Sequence, residues 1–401
     1  MLQHPNCFDV SVRYREDTAI SANDIPIVTL HLIVTCVHTC ILTTLSDCDS
    51  KRFHIEILPN TTSSIAVYEL AIYCWTQSET QAMTIHNPWE TSPSKTGLVN
   101  IGTHRLFVRV MGPIRKPGEP IVLIESGGGG TSTPWVGVMR ALASHIRLLA
   151  YNRAGLSGSE PSPNPGLRTA VDIAQDFEKL LHAARIPPPY ILVAHSYAGV
   201  QVRTWMEVHA RMNDVAGCVF IDAAAEDTYK RMPIREKDWT FLGALDWAKL
   251  TGLNDNYKLL TKEEYEEALR EGETNRESLA VDESARQLGE YHQDTRQILQ
   301  DRPVSVIKGF FAEDLRKVCE EAERIGLGTL EQRRMVMDNL AKFDEVMESS
   351  QRRHLRLSRL GRMRVARHSS GHTVFLTEPE LVIEEIRWVL SQYLEISSDQ
   401  S

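Results

Sequence analysis

Ile191, Leu192, Val193 and Ala194 run without a break into His195-Ser196-Tyr197-Ala198-Gly199, and a segment of helical periodicity, Val200 to Met212, follows directly. A short continuous apolar run suits a strand covered on both faces, and the turn after it must pass into a helix at once. Small residues two places before and two places after the serine relieve the crowding of such an elbow, which thrusts the serine out at the strand end. The usual G-x-S-x-G pattern is altered here to Ala194-His195-Ser196-Tyr197-Ala198, where alanine still fits at some cost in strain.

The chain around this elbow repeats the same rhythm. Leu98 to Ile101 and Leu106 to Met111 alternate as a strand pair about Gly102-Thr103-His104, and Ile121 to Ile124 is a buried strand ending in Glu125-Ser126-Gly127-Gly128-Gly129-Gly130. A helix from Trp135 to Ser144, a strand from Arg147 to Tyr151, and a helix capped by Thr169 and Asp172 come next, the last stopped by Pro187-Pro188-Pro189. Val215 to Ile221 forms another buried strand ending at Asp222. Residues 223–300 break the pattern with charged helices, an early Trp239, Phe241, Leu242, Leu245, Trp247 group and a Thr261-x-x-Glu264 cap; an insertion on the strand-end side is placed to act as a lid. Val304 to Ile307 resumes the sheet, helices occupy Glu313 to Arg359, and Met363 to Ala366 is the last strand. Arg367-His368-Ser369-Ser370-Gly371-His372 follows, and then a closing helix from Pro379 to Leu394. Strands alternating with helices over this length predict a mainly parallel sheet between helical layers.

Residues 1–95 stand apart from this pattern. Ile27 to Leu45 and Ile65 to Trp75 are rich in β-branched and aromatic residues and predict strands. Residues 26–45 carry no charge and are long enough to span a bilayer, although their threonines and histidines make the segment less apolar than a leucine-rich span. The His31, Cys36, His38, Cys40 spacing matches no zinc pattern, and Asn60-Thr61-Thr62 is a glycosylation sequon that matters only in a secreted chain. Five of the seven cysteines lie in this first quarter, which is not a disulfide framework; a reducing, cytoplasmic compartment is the expectation, with membrane attachment through residues 26–45 as the alternative. The formal net charge of -9 gives no reason to expect a nucleic-acid partner.

A serine hydroxyl needs a base, and the base needs a third group to hold its tautomer. His372, in a Ser-Gly-His turn after the last strand, comes to the same sheet edge as Ser196; His195 is expected to point away at the elbow, and His368 lies on the strand side of the turn. The acid is either Asp222, directly at a strand end, or one of Glu313 and Asp314 after the next strand. Both choices suit the chain order Ser, acid, His, and Asp222 is the better placed. The glycine run after a buried strand lets backbone N–H groups face a ligand oxygen, so Gly128 or Gly129 together with the Tyr197 N–H can form an oxyanion hole. No G-x-G-x-x-G pattern and no following Lys-Ser/Thr pair supports phosphate binding.

With these pieces in place, residues 96–395 resemble the α/β-hydrolase superfamily. The resemblance is carried by Glu125-Ser126-Gly127-Gly128-Gly129, Tyr151-Asn152-Arg153-Ala154-Gly155, Ala194-His195-Ser196-Tyr197-Ala198-Gly199, Val219-Phe220-Ile221-Asp222, and Ser370-Gly371-His372 before Glu378-Pro379-Glu380-Leu381. It implies an α/β fold with an eight-stranded, mostly parallel sheet, formed by residues 96–222 and 301–401 with the helical lid insertion 223–300 between them. It further implies a serine hydrolase triad, here Ser196, His372 and Asp222, without metal or organic cofactor, and the expected activity is cleavage of an ester or lactone of a small apolar substrate. Some relatives of this kind serve secondary-metabolite pathways. Two rival functions stand beside it: an epoxide-opening or polyketide-cyclising enzyme, although the usual epoxide route needs a carboxylate where this chain has Ser196, and a non-catalytic ligand-binding homologue.

Overall fold

The expected strand runs pair into one eight-stranded sheet in the computed structural model, which describes residues 87–399 apart from Pro165, Met212 and Arg276. The strands are β1 (Ser94–Asn100), β2 (Arg105–Met111), β3 (Ile121–Glu125), β4 (Arg147–Tyr151), β5 (Tyr190–His195), β6 (Val215–Ile221), β7 (Val304–Lys308) and β8 (Gly361–Val365), in the spatial order β1-β2-β4-β3-β5-β6-β7-β8. Only the β1–β2 and β2–β4 pairings are antiparallel; β3 to β8 run parallel. This is the α/β-hydrolase fold that the motifs implied. The segment 26–45, the strands expected at 27–45 and 65–75, and the His31, Cys36, His38, Cys40 group lie outside the described residues. Among those described, no helix is long and apolar enough to cross a membrane.

The alternation of side chains along each strand divides the core into two layers. On one face Leu123, Leu192 and Phe220 meet α2 (Ala170–Ala183) and α3 (Ala198–Val208) through Phe177, Leu180, Val202 and Trp205. On the other, Ile124, Val193 and Val219 meet α1 (Val136–Leu142) and the closing helix through Met139, Leu142, Ile386 and Val389. Helix α2 starts where expected, with Thr169 and Asp172 bonded reciprocally to each other's backbone N–H. The compact unit starts at Asn87. Asn87 ties it down by donating to the carbonyls of Ala184 and Arg185 at 2.9 Å each.

Residues 223–300 hold short turns and two longer helices, α4 (Lys262–Thr274), capped by Thr261 and Glu264, and α5 (Val281–Glu290). A second helical excursion, α6 (Phe311–Arg324), α7 (Leu330–Met337) and α8 (Leu340–Gln351), separates β7 from β8, and α9 (Pro379–Asp399) closes the chain. The tryptophans of the insertion pack against this second excursion. Trp239 and Trp247 lie against Phe311, and Trp239 also against Phe343, with ring centroids 5.2 to 6.5 Å apart. Leu242, Leu315, Val318 and Phe343 form the core of that layer. Phe311, against which both tryptophans lie, also stacks on His372 at the strand-end edge.

Candidate active site

The parallel strands all end at one edge, and their ends carry the polar residues singled out from the sequence. Pairing of Glu125 with Ala194 and of His195 with Ile221 sets the loops after β3, β5 and β6 side by side. At the elbow Ser196 takes φ 57°, a left-handed conformation that a serine holds only under tertiary constraint. That constraint is visible. The Ser196 N–H donates to Ile221 O at 3.1 Å, and its carbonyl accepts from Gly199 N at 3.1 Å and Ala224 N at 2.9 Å. Ala194 and Ala198 are fully buried without conflict, whereas a methyl on Gly199 would come within 2.4 Å of Ala224 O. The demand for glycine at this elbow therefore falls on position 199, which explains why alanine is accepted at 194 and 198.

Asp222 also has a positive φ, 43°, and is buried to 1% exposure. Its Oδ2 lies 2.6 Å from His372 Nδ1, while Oδ1 accepts from Gly309 N at 3.0 Å and Gln351 Nε2 at 2.6 Å. Burial works to raise this carboxyl, but the His372 hydrogen bond and charge, followed by the Gln351 bond, outweigh it and hold the pKa below the usual aspartate value. The group is an ionised acceptor, so the proton between it and His372 sits on Nδ1, and Nε2 is left as the free lone pair.

The alternative acids bond elsewhere than to the His372 ring. Glu313 is paired with Arg316. Asp314 instead accepts the backbone N–H of His372 at 2.7 Å, and a methyl on Gly371 would strike its carboxylate at 2.3 Å. Thus Asp222 holds the imidazole and Asp314 holds the peptide that carries it. The His372 ring is 17% exposed and stacks on Phe311, centroids 4.5 Å apart.

The His195 ring lies beside His372. Its ring centroid lies 4.5 Å from that of His372, and Nε2 donates to the His372 carbonyl at 3.1 Å. Trp135 and Phe375, stacked on each other at 4.0 Å, wall in its other sides. Burial, then the neighbouring His372, pushes its pKa down to about 3, so it is a neutral donor. His368 is largely exposed, its ring tilted against that of Phe310 with centroids 4.7 Å apart.

The glycine run lies against the elbow: a methyl on Gly127 would come 2.8 Å from Ser196 Cβ and 3.1 Å from His195 Nδ1. The Gly129 N–H, one of the expected oxyanion donors, is already given to Glu277 Oε2 at 2.9 Å, which removes it from that set. The N–H groups of Gly128 and Tyr197 have no acceptor among the described residues. Arg153, from the loop after β4, holds the glycine run from behind through the carbonyls of Ser126 and Gly127. Arg153 belongs to a motif recognisable in the sequence, but Glu277, Gln351 and the His195 contact carry no sequence signal, since each depends on an encounter between distant elements. No group of three or more His, Cys, Asp or Glu among the described residues is placed to hold a metal ion.

Comparison with known proteins agrees with this architecture. A family model described as "Alpha/beta hydrolase family" matches residues 121–385. A "Probable transporter efuK" of Hormonema carpetanum is 56% identical over 313 residues, or 78% of this chain but 45% of that protein, so the chain spans less than half of this relative. An "AB hydrolase superfamily protein" of Gibberella zeae is 30% identical over 324 residues, covering 76% of this chain and 99% of that one. The crystal structure of VinJ shares the fold with a TM-score of 0.50 at 18% identity, covering 75% of this chain and 99% of the other.

Proposed function

The chain belongs to the alpha/beta hydrolase family, and from that membership we propose that it is a serine hydrolase cleaving an ester or lactone bond of a small, apolar molecule. The observation that carries the reading is the 2.6 Å contact between His372 Nδ1 and the buried Asp222 carboxylate, at the sheet edge where Ser196 is held in its left-handed elbow.

Ser196 Oγ attacks the acyl carbon while His372 Nε2 takes its proton, and the imidazolium that results is steadied by Asp222. The negative charge moves to the former carbonyl oxygen, which the Gly128 and Tyr197 N–H groups receive. Collapse of this intermediate breaks the bond to the alkoxy oxygen, and His372 returns the proton to it; in a lactone the alcohol stays tethered to the acyl group. Water then repeats the sequence on the acyl-serine, with His372 first base and then acid, and releases the carboxylic acid. Phe311, stacked on His372, and Leu279, over Gly128, favour an apolar acyl or alkyl group over a charged one. Epoxide opening finds no carboxylate at position 196, and a purely ligand-binding role leaves the His372–Asp222 pair unexplained.

The test is labelling of the full chain with a fluorophosphonate, followed by a panel of acyl esters and lactones. Labelling of the unmutated protein that disappears in Ser196→Ala is the expected result. An unmutated protein that takes no label overturns the reading.

A further inference from the structure

Resting on that hydrolase reading, we propose that Glu277, a residue of the helical insertion, is a positioning residue for the oxyanion loop: acting through Arg153, it sets the direction of the Gly128 N–H. Every guanidinium N–H of Arg153 is engaged. Nε donates to Glu277 Oε1 at 2.7 Å, and Nη2 to Glu277 Oε2 at 2.8 Å and to the Gly127 carbonyl at 2.5 Å. Nη1 donates to Glu125 Oε1 at 2.8 Å and to the Ser126 carbonyl at 2.7 Å, with Gln201 Oε1 further off at 3.4 Å. The Glu277 pairing is the two-pronged form that fixes a guanidinium plane as well as its position. The Arg153, Glu125 and Glu277 side chains are all 3–4% exposed, so little solvent screens the contact.

The consequence for the glycine run follows from peptide geometry. In a trans peptide the C=O and N–H point in opposite directions. Because Nη2 draws the Gly127 carbonyl toward Arg153, the N–H of Gly128 in the same peptide plane is turned the other way. The next N–H, that of Gly129, is held by Glu277 Oε2 itself. One carboxylate therefore fixes both the cation that orients the Gly128 donor and the N–H of the residue after it.

The insertion reinforces this hold at neighbouring points. Asn275 Nδ2 donates to Gly129 O at 3.0 Å, and Asn275 Oδ1 accepts from Ser157 N at 2.9 Å. The buried Glu271 carboxylate accepts from the Thr131 hydroxyl at 2.6 Å and from the Thr133 hydroxyl at 3.1 Å. Leu279 lies over Gly128, where a methyl on the glycine would meet its Cδ1 at 3.3 Å. Glu271, Asn275 and Glu277 thus hold the glycine run and the residues after it from one edge of the insertion.

Substituting glutamine for Glu277 turns an amide NH2 toward one prong of Arg153, which leaves the guanidinium held by Glu125 and Ser126 without its second fork and loosens its grip on the Gly127 carbonyl, which keeps only the Gly130 N–H at 3.0 Å. The experiment measures kcat and KM of the full chain on a p-nitrophenyl ester, per serine titrated by a fluorophosphonate, for the unmutated protein and for Glu277→Gln and Glu277→Asp. An oxyanion contact is made mainly in the transition state, so kcat per titrated serine is expected to fall about 10- to 100-fold in Glu277→Gln with KM changed less than about threefold. Glu277→Asp keeps the charge but shortens the reach, and a fall of about 3- to 10-fold is expected; it decides the matter alone if Glu277→Gln yields no folded protein. A merely structural role lowers the number of titratable serines and leaves kcat per serine unchanged, and that result, or a change in KM alone, overturns the proposal. If the unmutated protein takes no label, the hydrolase reading falls and this inference with it.

Discussion

Two buried histidines whose pKa values fall to about 3, His195 and His354, make the protein sensitive to mild acid, and His354 allows the effect to be worked through. Its Nε2 donates to the Ala223 carbonyl at 3.2 Å, next to Asp222, and its ring stacks on Phe220 with centroids 3.9 Å apart. Nδ1 is buried with no partner among the described residues, so a second proton would have no acceptor. Burial, then the Arg203 charge, pushes the pKa down from 6.5 to about 3. Since the folded value is depressed, the unfolded chain binds the proton first; stability is full well above 6.5 and is lost as pH falls from there toward 3. Between about pH 7.5 and about pH 5.5 the unfolded histidine gains a factor of ten in protonation weight and the folded one almost nothing, a loss of ~1.4 kcal/mol. His195, with its pKa also near 3, adds a similar amount, for ~3 kcal/mol together. The perturbation is His354→Gln, which places an amide nitrogen near Nε2 but cannot titrate. Urea unfolding at both pH values gives the difference, in which all other groups cancel. The variant is expected to be less stable at either pH through the lost stacking, yet to lose ~1.4 kcal/mol less than the unmutated chain on acidification. Equal losses in the two proteins would refute the argument, because His354 would then take up its proton in the folded state.

Two further substitutions probe the site. In Asp222→Asn the side-chain oxygen keeps the Gly309 and Gln351 donors and the amide NH2 faces His372, which forces Nδ1 to accept and moves the imidazole proton to Nε2. Ester hydrolysis near neutral pH is expected to drop by about 10³- to 10⁴-fold with little change in urea stability. Gly371→Ala puts a methyl at 2.3 Å from Asp314 Oδ1 on a backbone with φ 62°. A loss of ~2–5 kcal/mol in urea unfolding and slower fluorophosphonate labelling are expected, since the peptide carrying His372 must shift; unchanged labelling would separate Asp314 from the placement of the base.

The sequence was most legible where a local pattern demands a local structure. The run from Val215 to Ile221, the run from Arg147 to Tyr151 and the caps at Thr169 and Thr261 appear as expected. Boundaries shifted where a neighbour intervenes: the helix expected from Val200 begins at Ala198, directly behind the elbow, and ends at Val208. The glycine run and the Ser-Gly-His turn were recognisable because each follows a strand, the buried β3 and the edge strand β8, and parallel strands bring their ends to one edge.

By itself, then, the chain determined its strands, its elbow and the candidate acids and bases, because apolar periodicity and turn chemistry act over a few residues. Tertiary structure alone decided which acid faces His372, that the His195 ring lies beside His372, that Gly129 is already engaged, and that Glu277 and Gln351 reach the site from separate helical segments. Those outcomes depend on hydrogen-bond geometry at the scale of an ångström between residues as far apart as Asp222 and His372, and no spacing along a chain encodes a distance through the core.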